Sequence, residues 1–301
     1  MTAWDWLSTV SKGLMYLAML TTVGGLFVAF YYPQLWLWRR YLIPASLVGL
    51  VSVCLYFLVQ IGQVNQGGLA GMLDLQMGQI LATTVLGDGM RWRISGFMLI
   101  LLSGLAMLLA DSSTRFARLA TPGFVLGIAG VLALAMSLAV LGHVNTLDLT
   151  ARLAVMLHFM AVSLWAGALL PLLVACRSFD ANSSLQTQSL HRTLLQFSHA
   201  GWFFLSLMLL SGIVMMVYLL DELSELSGSQ YGRLLMLKIG LVLVMMLAGA
   251  FNKFLLLSRW QSSGPGEVTR KLQGVITAEI GLVLLVVAVT SVMTTLIGPG
   301  R

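Results

Sequence analysis

The 301 residues are 58% hydrophobic and 9% charged, and a mean hydropathy of +0.92 excludes a water-soluble domain of this length. The net charge of +6 comes from 17 Lys and Arg scattered singly between apolar runs. That is no basic patch with aromatic stacking platforms, so nucleic acid is excluded and the lipid bilayer is the partner the composition demands. The two cysteines, Cys54 and Cys176, lie in apolar stretches without Cys-x-x-Cys spacing and read as packing residues.

Met1 to Lys12 lacks the basic start and small-residue cleavage site of a signal peptide, so the first apolar run is expected to be retained as a span. Eight runs of about 20 apolar residues follow, each long enough at 1.5 Å per residue to cross roughly 30 Å of hydrocarbon. They fall near Leu14–Tyr32, Ile43–Gly62, Ile94–Ala110, Gly123–Leu141, Leu153–Cys176, Trp202–Leu220, Leu234–Leu257 and Val275–Ile297. The fold class is therefore all-α, a polytopic membrane bundle forming one transmembrane domain over 1–301. Between the second and third spans, LDLQMGQILATTVLGD carries apolar residues short of spanning length and predicts a short interfacial helix. The polar stretch NSSLQTQSLHRT predicts an exposed loop or short surface helix.

Loop charge sets the orientation. Breaks holding Arg39/Arg40, Arg115/Arg118, Arg177/Arg192 and Arg259/Arg270/Lys271 alternate with breaks holding Asp74/Asp88, Asp148 and Asp221/Glu222/Glu225. The first set is expected in the cytoplasm, with both termini outside, although Arg91, Arg93, Arg152 and Arg233 dilute the asymmetry.

An internal repeat is also written in the spacing. Met15 and Gly24 correspond to His158 and Gly167 at an offset of 143, and Gly87 and Arg93 to Gly232 and Lys238 at an offset of 145. Two parallel four-helix halves, 1–141 and 142–301, would put the first and fifth helices beside a common axis along the membrane normal.

Polar and soft-ligand residues within apolar runs are the candidates for chemistry, because each costs solvation energy unless it is paired or used. His143 ends the fourth span and His158 lies within the fifth, both near the outer surface. Either they form half of a transition-metal site, or they are an interfacial residue and a helix–helix polar contact. Among 18 methionines, Met15 and Met19 share a helix face, whereas Met156 and Met160 point roughly opposite His158 and read as packing. The expected metal site is His143, His158, Met15 and Met19, with thioether and imidazole together favouring Cu(I). Glu279 lies within the last span, with Asn252, Lys253 and His199 as candidate partners. It is either a structural clamp or an ion- or proton-pathway residue. Lys238 and Arg93 lie near outer helix ends, where long side chains snorkel. No phosphate loop, His-Glu-x-x-His or Gly-x-Ser-x-Gly motif supports hydrolytic chemistry.

From LGHVNTLD through LHFMAVSLWAGALLPLL, QFSHAGWFFLSLMLLSGIV, YGRLLMLKIGLVLVMMLAGAFNKFLL and AEIGLVLLVVAVTSVMTTLIGP, residues 141–299 resemble copper resistance protein D. In the first half only TVLGDGMRWR adds to the resemblance. It implies a bacterial inner-membrane protein that moves copper from periplasm toward cytoplasm, often with a small periplasmic copper-binding partner. It marks His143, His158, Lys238 and Glu279. Where family members often carry a histidine in the first span, this chain has Met15, which keeps a Cu(I)-type ligand but weakens a site for Cu(II) or haem. The expected function is copper binding and transfer through the outer His/Met site. The alternative is a membrane electron-transfer protein with b-type haem held by two imidazoles.

Overall fold

The computed structural model describes residues 2–32, 37–66, 68–112, 114–141, 148–180, 183–220, 222, 224–260, 262 and 264–297, and among them the chain is helical with no strand. The α-helices are α1 (Ala3–Tyr31), α2 (Leu37–Asn65), α3 (Leu75–Ala82), α4 (Val85–Ser112), α5 (Ala120–Ala139) and α6 (Leu149–Ala166). They continue with α7 (Leu169–Arg177), α8 (Ser184–Leu219), α9 (Glu225–Gly228), α10 (Gln230–Phe251) and α11 (Pro265–Val292). Eight stretches are long and apolar enough to cross a bilayer: Ala3–Tyr31, Arg40–Asn65, Val85–Ser112, Phe116–Ala139, Leu149–Arg177, Ser184–Leu219, Gln230–Arg259 and Pro265–Ile297. The chain is a multi-pass membrane protein. The start of α1 and the end of the last span lie on one side, the terminal face, where Lys12 Nζ donates to the Thr294 carbonyl; Arg40, Arg118, Arg177 and Arg259 mark the opposite, arginine face.

Most helices outrun the apolar stretches that announce them, because polar end turns are capped. Thr2 and Asp5 form a reciprocal cap at the start of α1, the Thr2 amide donating to Asp5 Oδ2 at 2.7 Å and the Asp5 amide to Thr2 Oγ1 at 3.3 Å. Ser183 accepts from the Gln186 amide, so that most of the polar stretch before the sixth span is the first turns of α8 instead of a loop. The expected interfacial helix is α3, capped by Asp74, which accepts from the amides of Gln76 and Met77; a 3₁₀ turn over Leu69–Leu73 precedes it.

The fifth span breaks between α6 and α7 at Gly167 and Ala168. Pro171, four residues after Gly167, has no N–H to donate to the Gly167 carbonyl, and its ring crowds that carbonyl. Gly167 is also where α1 comes closest. A Cβ on Gly167 would stand 2.0 Å from the Leu20 carbonyl oxygen, and one on Gly24 would stand 2.1 Å from the Gly167 carbonyl carbon. Only glycine on both helices allows this approach.

The spans gather into two groups. In the first, α1 packs on α2, α2 on α4 and α4 on α5; in the second, α6 packs on α8, α7 on α11 and α10 on α11. Between the groups α1 packs on α6 and α11, and α5 packs on α6. Among the other tight glycines, Gly87 and Gly232 stand at the starts of the third and seventh spans. A Cβ on Gly87 would stand 2.1 Å from the Ala82 carbonyl oxygen, and one on Gly232 would stand 2.1 Å from that of Glu225. The groups differ in closure: α2 and α4 pack closely, whereas the backbones of α8 and α10 stay apart, with side chains filling the space.

Candidate functional site

His158 on α6 turns toward α8. Its Nδ1 lies 3.0 Å from the Met208 carbonyl oxygen and 3.3 Å from Ser211 Oγ. A carbonyl can only accept, so Nδ1 carries the proton and Nε2 keeps its lone pair. Among the described residues Nε2 has no hydrogen-bond partner. A ring anchored through one nitrogen to a backbone carbonyl, with the other left open, is the usual posture of a metal-binding imidazole. Gly212 makes room for it, since a Cβ there would stand 3.4 Å from the ring. Lys238 of α10 lies within electrostatic reach of the same ring.

Below His158 the site continues along one face of α10. Lys238, Met245 and Asn252 follow one another at seven-residue steps, so each lies about 20° round the helix from the last, about 40° in all, and they span roughly 21 Å of the helix axis. Met245 is buried with Met208, Trp165 and Phe204, which places two thioethers between α8 and α10. At the end of the stripe Asn252 Nδ2 approaches Glu279 Oε1 of α11 at 3.5 Å. Here α10 passes into a π-helical turn, Asn252–Leu256, a local widening common at functional positions.

Glu279 therefore meets one of its three expected partners. Lys253 is turned away, its Nζ 5.3 Å from the Trp202 ring and 5.7 Å from that of Phe254. His199 closes on its own helix, with Nδ1 2.7 Å from the Leu195 carbonyl. His191 stacks on Trp260 at 4.8 Å.

Of the four residues of the expected metal set, Met15, Met19 and His158 are described. His143 lies outside the described residues. Met15 and Met19 are fully buried in the largest apolar cluster, with Val23, Phe97 and Ile100. Nine residues at 100° each end half a turn away, so Met15 faces opposite Gly24, and His158 faces opposite Gly167. Because those glycines are the α1–α6 contact, the crossing turns Met15 and His158 into different groups. Met156 and Met160, on the Gly167 face of α6, pack against the cluster that holds Met15.

At the depth of His158, the first group holds Arg93 on α4. Arg93 is 2% exposed, its guanidinium lies 5.8 Å from the Tyr56 ring centroid, and Tyr16 is within electrostatic reach. It therefore does not snorkel to open solvent. The anchoring by Met208 and Ser211 had no legible signal, because Met208 contributes only its backbone carbonyl. Among the described residues no three His, Cys, Asp or Glu side chains come together.

Residues 191–293 match the family model of copper resistance protein D. The matched segment runs from within α8, through α10 and its π turn, to the end of α11. It includes Met208, Ser211, Lys238, Met245, Asn252 and Glu279, and it begins after His158. No curated protein and no solved structure matches the chain.

Proposed function

We propose that this protein binds copper in a bacterial inner membrane and passes it from the periplasmic to the cytoplasmic side through the second helical group. The observation that carries the reading is that the copper resistance protein D match falls on the helices bearing the Lys238–Met245–Asn252 stripe. His158 Nε2 is the outer ligand, with His143, which precedes α6 in the sequence, as its partner. Met208 and Met245 supply soft sulfur below it, and imidazole with thioether suits Cu(I) without formal protein charge. Loop charge puts the arginine face in the cytoplasm and both termini in the periplasm, where a small copper-binding protein would deliver the ion.

The chain is further read as two parallel four-helix halves, 1–141 and 142–301, about an axis along the membrane normal. Residues in contact with their own counterparts would lie on such an axis, and the close approach of Gly24 and Gly167 supports that reading. The exchanged pair α1 with α11 and α6 with α5 is what a two-fold relation requires, and the equivalent crowding at Gly87 and Gly232 supports the same register.

Metal analysis and a visible spectrum of detergent-purified protein, grown with copper, test the reading. Copper near one per chain in the wild type, absent in the His143→Ala/His158→Ala double variant and without a Soret band, is expected. A Soret band that vanishes in the double variant would replace copper transfer by haem electron transfer. Copper retained by the variant would remove the histidines from the site.

A further inference from the structure

Glu279 is 3% exposed, and no ion pair reaches it among the described residues. Among the described residues its one hydrogen-bond partner is the Asn252 side chain, whose Nδ2 stands 3.5 Å from Oε1. The amide oxygen of Asn252 is itself buried and without a hydrogen-bond partner. An ionised carboxylate held only by an amide 3.5 Å away, next to an amide oxygen that has no donor, is a conflict of unmet charge and unmet acceptor that is costly away from water. One proton on Glu279 removes the conflict: the acid O–H donates to Asn252 Oδ1, the amide N–H donates to the other carboxyl oxygen, and a two-bond ring closes. Gly249 leaves room over the carboxyl, since a Cβ there would stand 3.8 Å from Oε1, and the π turn at Asn252–Leu256 loosens the backbone that carries the amide.

We propose that Glu279 takes up and releases a proton inside the membrane, with Asn252 accepting from its protonated form. On release the O–H bond breaks, the electron pair stays on the carboxylate, and the proton passes to water at the arginine face. Seven residues, roughly 10 Å of helix, separate Asn252 from Arg259 at that face.

The charged and titratable groups around Glu279 are few. From α10 comes Lys253, held over the Trp202 and Phe254 rings. From α7 come Cys176, whose carbonyl accepts from Gln273 Nε2, and Arg177. From α8 comes His199, closed on Leu195. On α11 itself Lys271 pairs with Glu267 nearer the arginine face. From α1, Lys12 bonds the Thr294 carbonyl, roughly 22 Å along α11 from Glu279.

The test is pH-difference infrared spectroscopy of the full chain in bilayers without copper, so that its failure and the failure of the copper reading are independent. A carboxylic C=O band that grows as pH falls from about 9 to about 5 is expected. It should be absent in Glu279→Gln, retained at an altered frequency in Glu279→Asp, and raised in frequency in Asn252→Leu, where its acceptor is gone. A spectrum unchanged by Glu279→Gln at every pH, or a Glu279 band that does not respond to pH, would overturn the proposal.

Discussion

Each of the two helical groups holds a cation within its spans, and the surroundings of the two differ. Arg93 is sealed under the Tyr56 ring among closely packed α1, α2 and α4. Lys238 stands beside an imidazole with an open nitrogen, where α8 and α10 keep their backbones apart and two thioethers lie below. The first group surrounds its cation with rigid, aromatic contacts and the second with soft, adaptable ones. Closure suits a scaffold, while splayed helices filled by methionine suit a group that must let something through.

The largest effect should come from the contact the groups share. Gly167→Leu forces a side chain into the Leu20 carbonyl, and folded, monodisperse protein should be lost, a cost above about 3 kcal/mol; Gly240→Leu, where an added Cβ meets nothing within 4 Å, is the control that keeps the fold. Recovery of both variants by size-exclusion chromatography reads this out.

Within the first group Met15→Ala leaves a cavity among fully buried side chains and should destabilise by about 2–5 kcal/mol, seen as an earlier thermal transition in detergent. A smaller contrast pits the two cations against each other. Arg93→Met removes a buried charge for a side chain of similar length and should leave copper affinity unchanged. Lys238→Met removes a positive charge facing the copper ligand and should tighten Cu(I) binding by roughly tenfold at an effective dielectric near 20. Equal effects of the two substitutions would remove the functional difference between the groups. Smallest is Ser211→Ala, which takes away the longer of the two Nδ1 contacts and should weaken Cu(I) binding by about twofold, measured by competition with a chromophoric chelator.

Much of this architecture is legible in the sequence for a physical reason: backbone groups in hydrocarbon must bond internally, so a run of about 20 apolar residues has little choice but helix. The short helix before the third span was legible in the same way. The break at Gly167 was signalled by Pro171, although the apolar run continues through it. The spacing also carries helix facing, since nine residues from Met15 to Gly24 and from His158 to Gly167 turn each candidate away from its glycine. What the spacing does not say is that the two glycines touch, which is a long-range fact. The π turn at Asn252 and the Met208 carbonyl under His158 leave no trace in residue type, because both are properties of the backbone.

The most direct test is a Cu(I) competition titration of two variants side by side, Met15→Ala/Met19→Ala and His158→Ala, in protein shown to be folded. Retention of wild-type copper stoichiometry by the methionine variant, with loss of at least tenfold in affinity by the histidine variant, is the predicted result. Copper lost with the methionines and kept without His158 would put the site in the first group and contradict the account.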